Sequence, residues 1–152
     1  MTVRLIGSVL RRSAGLSIAT VVVGVVLAAF ASAASASTYV PVPESSGFVY
    51  TGLDAQAGKA VTVTSDAQQI WAGVWFTGWN GPQGWVGKKA SSAFPWPGQP
   101  PYGLLAKQAG QTFWVGTGTQ FTAPGTGAVY LQINDDKVNN GAGQFGAYVS
   151  VD

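Results

Sequence analysis

The chain of 152 residues contains no cysteine and no histidine. Without cysteine it has neither a disulfide scaffold nor a thiol nucleophile. Without histidine it has no Ser-His-Asp triad, no imidazole base and no ordinary zinc or copper site. Acid–base or metal chemistry in this protein would therefore rest on oxygen groups, the carboxylates above all.

Charged residues are also scarce, with eight basic and six acidic side chains. Three of the basic residues precede an apolar run over 14–30 and small residues over 31–36. This order predicts a secretory signal peptide over 1–36, cleaved after Ala36 or, as an alternative, after Ala33; a retained membrane anchor is the less favoured interpretation. All six acids lie beyond it, so cleavage would leave one domain of net charge about −1. We expect a secreted protein with no nucleic-acid partner and no stable membrane insertion.

Short runs of alternating apolar residues, bounded by glycine, aspartate or serine, predict strands. The predicted strands are 48–50, 60–64, 69–76, 102–108, 112–116, 120–123, 128–134 and 145–151. About eight short strands without a helical period favour an all-β fold. The simplest architecture is a two-sheet β-sandwich, and a small barrel is the alternative. The segment 37–46, which contains two prolines, is predicted to be a lead-in to a domain over 47–152.

Carboxylates, amides and glycines crowd into residues 134–144, between two alternating runs. Because both flanks are predicted strands, these oxygen donors fall in one strand-to-strand loop. A hard cation such as Ca2+ gathers roughly six to eight oxygen ligands in a flexible shell, and such a loop offers them. The alternative is a polar hairpin loop whose Asn, Asp and Gly supply turn geometry only.

A second long loop, 78–101, carries Trp79, Trp85 and Trp96. A disordered linker has no reason to contain three indoles. Exposed aromatic rings can stack on the apolar faces of sugars. The alternative is that these rings pack over an open end of the sandwich.

Several segments of the chain recur in the order found in one protein family. They are residues 50–54 with 57–64, Trp75, 81–84, 102–107, 113–116, 121–124 and 131–135, followed by an Asn pair, a Gly and an aromatic strand. In this order the chain resembles the PA-IL-like (LecA-like) bacterial lectins, which bind galactose through calcium. The resemblance covers most of the chain after residue 36. It implies a β-sandwich of the jelly-roll or galactose-binding-domain-like type.

The resemblance also implies a calcium site. Asp135 matches the family's acid, and Asn139 and Asn140 match its two amides. Val138 would lend the carbonyl between them, and a remote carbonyl would come from residues 77–79, ending at Trp79. Two adjacent sugar hydroxyls would complete the coordination shell.

The chain departs from the family in two places. The Asp-to-Asn spacing is shorter, and alignment back from Phe145 instead sets Asn140 and Gly141 at the amide pair, which removes one ligand. The family's histidine for the sugar is absent, and Gln99 and Trp96 lie in the region that would replace it. The implied sugar-binding residues are Asp135, Asn139, Trp85, Trp96 and Gln99.

Together these features predict a secreted carbohydrate-binding protein that recognises galactose-like sugars through Ca2+. A single shallow site binds weakly, so useful affinity is expected from a homo-oligomer that presents several sites. The alternative is an exported structural or interaction sandwich that has lost calcium and sugar. We expect no enzyme, because a glycosidase needs two carboxylates across one bond and adjacent Asp135 and Asp136 would face opposite sides of a strand.

Overall fold

The structure is a computed structural model that describes residues 35–152. Within this range ten strands form two antiparallel sheets, and there is no helix. The described residues therefore contain no helix long and apolar enough to cross a membrane. The predicted signal peptide lies outside the described residues, apart from its last two positions.

Six strands form the larger sheet. They are β1 (Thr38–Pro43), β3 (Ala60–Ser65), β4 (Ile70–Trp71), β5 (Trp79–Asn80), β8 (Gly118–Thr122) and β10 (Ala142–Val151). The sheet order is β5-β4-β10-β3-β8, and β1 also pairs with β10. The smaller sheet contains β2 (Val49–Ala55), β6 (Leu104–Gln108), β7 (Gln111–Trp114) and β9 (Gly127–Ile133). Its order is β2-β9-β6-β7.

The hydrophobic core lies between the sheets because the strands bury alternate side chains. The larger sheet contributes Val40, Val42, Val61, Val63, Phe145, Ala147 and Val149. The smaller sheet contributes Leu104, Ala106, Val129, Leu131 and Ile133. The alternation that predicted most of these strands therefore also selected the face that each strand buries.

The all-β sandwich predicted from the sequence is confirmed, with ten strands rather than about eight. One additional strand, β1, occupies the segment predicted as a lead-in and pairs with β10 from Thr38 to Pro43. Among the described strands β1 pairs with β10 alone, and an edge position of this kind tolerates proline. Val40 and Val42 point into the core, so the lead-in is part of the sandwich.

The predicted strand 69–76 is shorter than expected, because β4 ends at Trp71. Residues 72–78 form a loop that contains a turn, in which Thr77 N donates to Val74 O at 3.1 Å. The turn carries exposed Trp75 and Phe76 at its tip. A short apolar run is ambiguous between a buried strand and an aromatic turn, and here the turn is the outcome. The two-residue strand β5 follows it.

Candidate functional site

The connection between β9 and β10, residues 134–141, is the site loop, and it begins with two buried polar residues. Asn134 N donates to Gly103 O at 2.8 Å, and Tyr102 N donates to Asn134 O at 2.6 Å. Asp135 N donates to Ile133 O at 2.9 Å, which turns the chain directly after the strand. These backbone bonds fix the positions from which the side chains of Asn134 and Asp135 extend.

The side chain of Asn134 holds the second long loop against the site loop. Its Oδ1 accepts from Trp96 N at 2.8 Å, and its Nδ2 donates to Trp96 O at 3.1 Å and to Pro100 O at 3.0 Å. Gln99 is half-buried in the same segment, and its carbonyl accepts from Ala90 N at 2.8 Å. Asn134, which immediately precedes Asp135, thus holds the backbone of Trp96 at the start of the site loop.

Asp135 retains one carboxylate oxygen without a partner. Lys137 N donates to Asp135 Oδ1 at 3.0 Å, whereas Oδ2 is buried and has no hydrogen-bond partner among residues 35–152. Burial raises the pKa of Asp135 to about 6, against the opposing effect of the Lys137 N–H. The carboxylates of Asp136 and Glu44 raise this pKa further. A negative charge is therefore disfavoured here unless a positive charge joins it.

Asn140 supplies a second unpartnered oxygen. Its Oδ1 is buried and lacks a hydrogen-bond partner in the described part of the chain. Its backbone N donates to Glu44 Oε1 at 3.2 Å. Gly73 packs so closely that a Cβ added there would lie 2.6 Å from Asn140 Cγ. Asn140 is consequently held by Glu44 at its backbone and by Gly73 of the loop 72–78 at its side chain.

The other predicted donors of the site loop lie nearer the surface. Asn139 has a positive φ of 64° and an exposed side chain, and its N donates to Glu44 O at 3.3 Å. Val138 is half-buried. The loop therefore directs the amide of Asn140, rather than that of Asn139, into the protein.

Glu44 was not among the residues predicted for the site. It follows β1 directly, is only 2 % exposed, and its N donates to Gly143 O at 3.0 Å. Its backbone and side-chain oxygens each accept an N–H of the site loop. The signal in the sequence was the alternation of Val40, Val42 and Glu44, which sets all three on one face. The alternation was overlooked because Pro41 and Pro43 lie between these residues and argued against a strand.

This set of donors suits a hard cation. Asp135 and Asn140 each keep a buried oxygen without a partner, and Glu44 adds a carboxylate bonded to Asn140. Within residues 35–152 no three Asp, Glu, His or Cys side chains are grouped so that they could hold a metal. Amide and backbone oxygens would have to complete the shell, as Ca2+ accepts. The two unpartnered oxygens in one loop are the feature that fits this ion.

Trp79 lies away from the backbone that contacts the site loop. It pairs with Trp71, and the strand order puts β4 between Trp79 and β10. The backbone that packs against Gly141 belongs to Trp71 and Gly73. The exposed ring of Trp79 still reaches β10, where its Cζ3 would lie 3.0 Å from a Cβ added at Gly143.

An aromatic row, consisting of Trp75, Phe76 and Trp85, extends from the turn that follows Gly73. Trp75 is 86 % exposed, and its ring centroid lies 5.5 Å from that of Phe76. The Phe76 centroid lies 5.7 Å from half-buried Trp85, above which Lys88 Nζ lies at 5.3 Å. Trp75 and Phe76 were missed as site candidates because they were predicted inside a strand. A strand would set these two consecutive aromatic residues on opposite faces. That conflict was the signal in the sequence against a strand at this point.

Comparison with known proteins finds similarity among solved structures. No family model matches the chain, and no curated protein matches it. Among solved structures, the N-terminal domain of EclA, described as a PllA-like lectin, is similar with a TM-score of 0.60 and 20 % sequence identity. The match covers 75 % of this chain and 95 % of that one. This chain has a lectin-like fold. The match does not extend to the PA-IL-like family itself, and that resemblance stays a prediction.

Proposed function

We propose that this is a carbohydrate-binding protein whose site loop holds Ca2+ and presents it to a galactose-like sugar. The observation that carries the proposal is the pair of buried, unpartnered oxygens, Asp135 Oδ2 and Asn140 Oδ1. Leaving one such atom unpartnered costs about 1–3 kcal/mol. The raised pKa of Asp135 adds the cost of an isolated negative charge. A divalent cation would remove both costs.

The residues of the site loop have distinct roles in this proposal. Lys137 N–H engages Oδ1 of Asp135, which leaves Oδ2 for the cation. Glu44 accepts the N–H of Asn140 and contributes negative charge. Val138 and Asn139 remain the surface donors implied by the family resemblance. When bound, Ca2+ would offer open coordination positions to adjacent sugar hydroxyls.

The aromatic row is the proposed support for the apolar face of the sugar. Trp75 and Phe76 follow Gly73 closely, and Gly73 contacts Asn140. The exposed rings therefore follow, two and three residues on, the backbone that packs against the site loop, while Asn134 holds the segment with Trp96 and Gln99 nearby. Aromatic rings beside oxygen donors support recognition rather than turnover. We further propose that the protein is secreted and gains affinity as a homo-oligomer.

Thermal unfolding of the purified protein, with excess Ca2+ and with EDTA, tests the metal site. A ligand bound by the native state alone stabilises it by about 2.7 kcal/mol at a hundredfold excess over Kd. We expect a rise in Tm of about 10 °C for a domain of this size. Asp135→Asn should abolish the rise. The matched control is Asp152→Asn, which removes an exposed carboxylate at the far end of β10.

Titration with galactose in the presence of Ca2+ then tests the sugar, with Trp75→Ala expected to weaken the affinity. Equal Tm values with Ca2+ and EDTA would contradict the calcium mechanism. A calcium-dependent Tm without binding of any sugar would instead favour a structural sandwich stabilised by metal.

A further inference from the structure

The larger sheet ends at β8, which has one paired edge and one open edge. Among the described strands β8 pairs with β3 alone, in unbroken register over residues 118–122. Beyond one end of β8, Ala123 N donates to Lys59 O at 2.8 Å. Beyond the other end, Ser65 N donates to Thr117 O at 3.1 Å. The ladder with β3 therefore continues without a break from Thr117 to Ala123.

The open edge presents free backbone groups at alternate positions. In an antiparallel pair, every second residue directs its N–H and C=O toward the partner strand, and the residues between direct theirs away. Both ends of the ladder bond to β3, so Gly118, Gln120 and Thr122 face the open edge. Gly118 N donates to Val115 O at 2.9 Å within a turn. The N–H groups of Gln120 and Thr122 and the three carbonyls have no hydrogen-bond partner in the described part of the chain.

The other edge strands have features that hinder pairing with a further strand. In β1, Glu44 N donates to Gly143 O, so by the same alternation Pro41 and Pro43 face away from β10, and neither has an N–H. In β2 the register shifts after Tyr50. β5 and β7 have only two and four residues. β8 is the exception among the described edges, because it contains no proline, no register shift and no charged side chain.

We propose that β8 pairs with β8 of a second copy of this chain, antiparallel, about a two-fold axis at Gln120. The N–H and C=O of Gln120 would bond to the same groups of the second copy, and Thr122 N would donate to Gly118 O across the axis. Two six-stranded sheets would become one continuous sheet. The contact uses the open edge of both copies, so assembly closes at a dimer. This inference rests on the homo-oligomer proposed above and assigns its contact surface.

A second copy fits this edge better than an unrelated strand does. Identical edges match in length and in the spacing of their free groups, and neutral side chains bring no like charges opposite each other. The net charge of about −1 beyond residue 36 adds little repulsion between copies.

The pairing would also cover an aromatic stack at the side of the sandwich. The ring of Phe121 is stacked on half-buried Phe113 of β7, with a centroid distance of 3.8 Å. Antiparallel pairing about Gln120 sets Thr119 of the second copy beside Phe121. The site loop stays uncovered, because β3 lies between β8 and β10. A dimer of this form would therefore present two sugar sites at once.

Sedimentation equilibrium of the purified protein in EDTA tests the dimer without involving the calcium site. We expect a dimer at micromolar concentrations that dissociates on dilution. Gln120→Pro removes an outward N–H and leaves the ladder with β3 intact, so it should give monomers with little change in Tm. An unmodified protein that stays monomeric up to millimolar concentration would overturn the proposal.

Gln120→Lys and Gln120→Glu test the two-fold axis itself, since each variant sets like charges directly opposite each other. Each alone should dimerise about fivefold more weakly, and an equimolar mixture should restore the affinity, because Lys then faces Glu. Thr64→Lys is the matched control, an exposed threonine on the same face of β3, and it should leave the dimer unchanged.

The outcomes separate this interface from the proposed function. Dimers of unchanged affinity in both charge variants would overturn the β8 contact while the homo-oligomer itself remained. An unchanged Tm with Ca2+ would contradict the calcium site and leave the dimer measured in EDTA standing.

Discussion

Asp135 and Asn140 leave their buried oxygens unpartnered although the same loop satisfies a neighbouring amide completely. Asn134 is fully buried and makes three side-chain hydrogen bonds with the backbone of Trp96 and Pro100. Asp135 Oδ2 and Asn140 Oδ1 have no such partner among residues 35–152. Buried polar atoms in native proteins are nearly always bonded. The contrast within one loop is the residue-level argument for a bound cation.

The pH dependence of stability should report the environment of Asp135. Its folded pKa of about 6 lies above the ordinary value of 3.8, so the folded state keeps this proton in a range where the unfolded state has lost it. Stability in EDTA should therefore fall as the pH rises from 4 to 6, by an amount on the order of 2 kcal/mol from this group. Denaturant unfolding at a series of pH values measures it. Asp135→Asn should lack this component, and parallel curves for the two proteins would contradict the assignment.

Glu44→Gln should separate the two roles of this buried side chain. The variant keeps an oxygen that can accept the Asn140 N–H, so the fold should persist in EDTA, with Asp135 relieved of a nearby negative charge. It removes one negative charge from the proposed site, and we expect Ca2+ affinity to fall about tenfold, because ligand charge tunes such sites. Calorimetric titration with Ca2+ measures the affinity. An unchanged Kd would exclude Glu44 from the site.

The site loop and the loop 72–78 depend on each other because their backbones pack in contact. Gly141 lies against Trp71 O and Gly73 N, and Gly73 lies against Asn140. Neither contact leaves room for a side chain. The turn that follows Gly73 carries Trp75 and Phe76, so the position of the aromatic row depends on the same packing. At the level of elements, the proposed metal donors and the exposed rings thus depend on the same contact between loops.

Gly141→Ala should disturb both loops together. The added Cβ would meet backbone atoms of Trp71 and Gly73, which cannot rotate away as a flexible side chain can. We expect a loss of about 1–3 kcal/mol in unfolding free energy, as for other overpacked sites, together with weaker Ca2+ binding. Gly47→Ala is the matched control, since nothing lies within 4 Å of its Cβ position. Equal stability of the two variants would contradict the close approach.

The first described strand, β1, completes the larger sheet of the sandwich. β1 pairs with β10 along six residues and buries Val40 and Val42 in the core. Glu44, at its end, reaches the site loop. Ser35 Oγ also donates to Val151 O at 2.5 Å. Residues 38–44 therefore belong to the folding unit and to the candidate site.

A comparison of two fragments tests this boundary. Residues 37–152 keep β1, whereas residues 47–152 lack it and expose the inward face of β10. Burial of each valine contributes about 1.5–3 kcal/mol, a large share of the 5–15 kcal/mol typical of a domain. We expect the longer fragment to unfold cooperatively and the shorter one to be largely unfolded, as measured by circular dichroism during heating. Equal Tm values would show that β1 is dispensable.

The sequence alone determined the fold class and the place of the site loop. Alternation at 61 and 63, at 129–133 and at 145–149 depends only on the two-residue period of a strand, and each run proved to be a buried face. The position of Asp135, directly after the predicted strand 128–134, followed from the same local pattern. These features could be predicted because the information lies within a few neighbouring residues.

Tertiary contacts decided the rest. Whether Asn139 or Asn140 turns inward depends on Glu44 and Gly73, and Glu44 is 96 positions away from Asn140. The exposure of Trp75 depends on where β4 ends against β10. One surface pocket forms only where Phe48, which precedes β2, meets residues of β6, β9 and the turn between β6 and β7. Local periodicity specifies which face of a strand is apolar, but the burial of a polar atom without a partner is set by distant segments brought together.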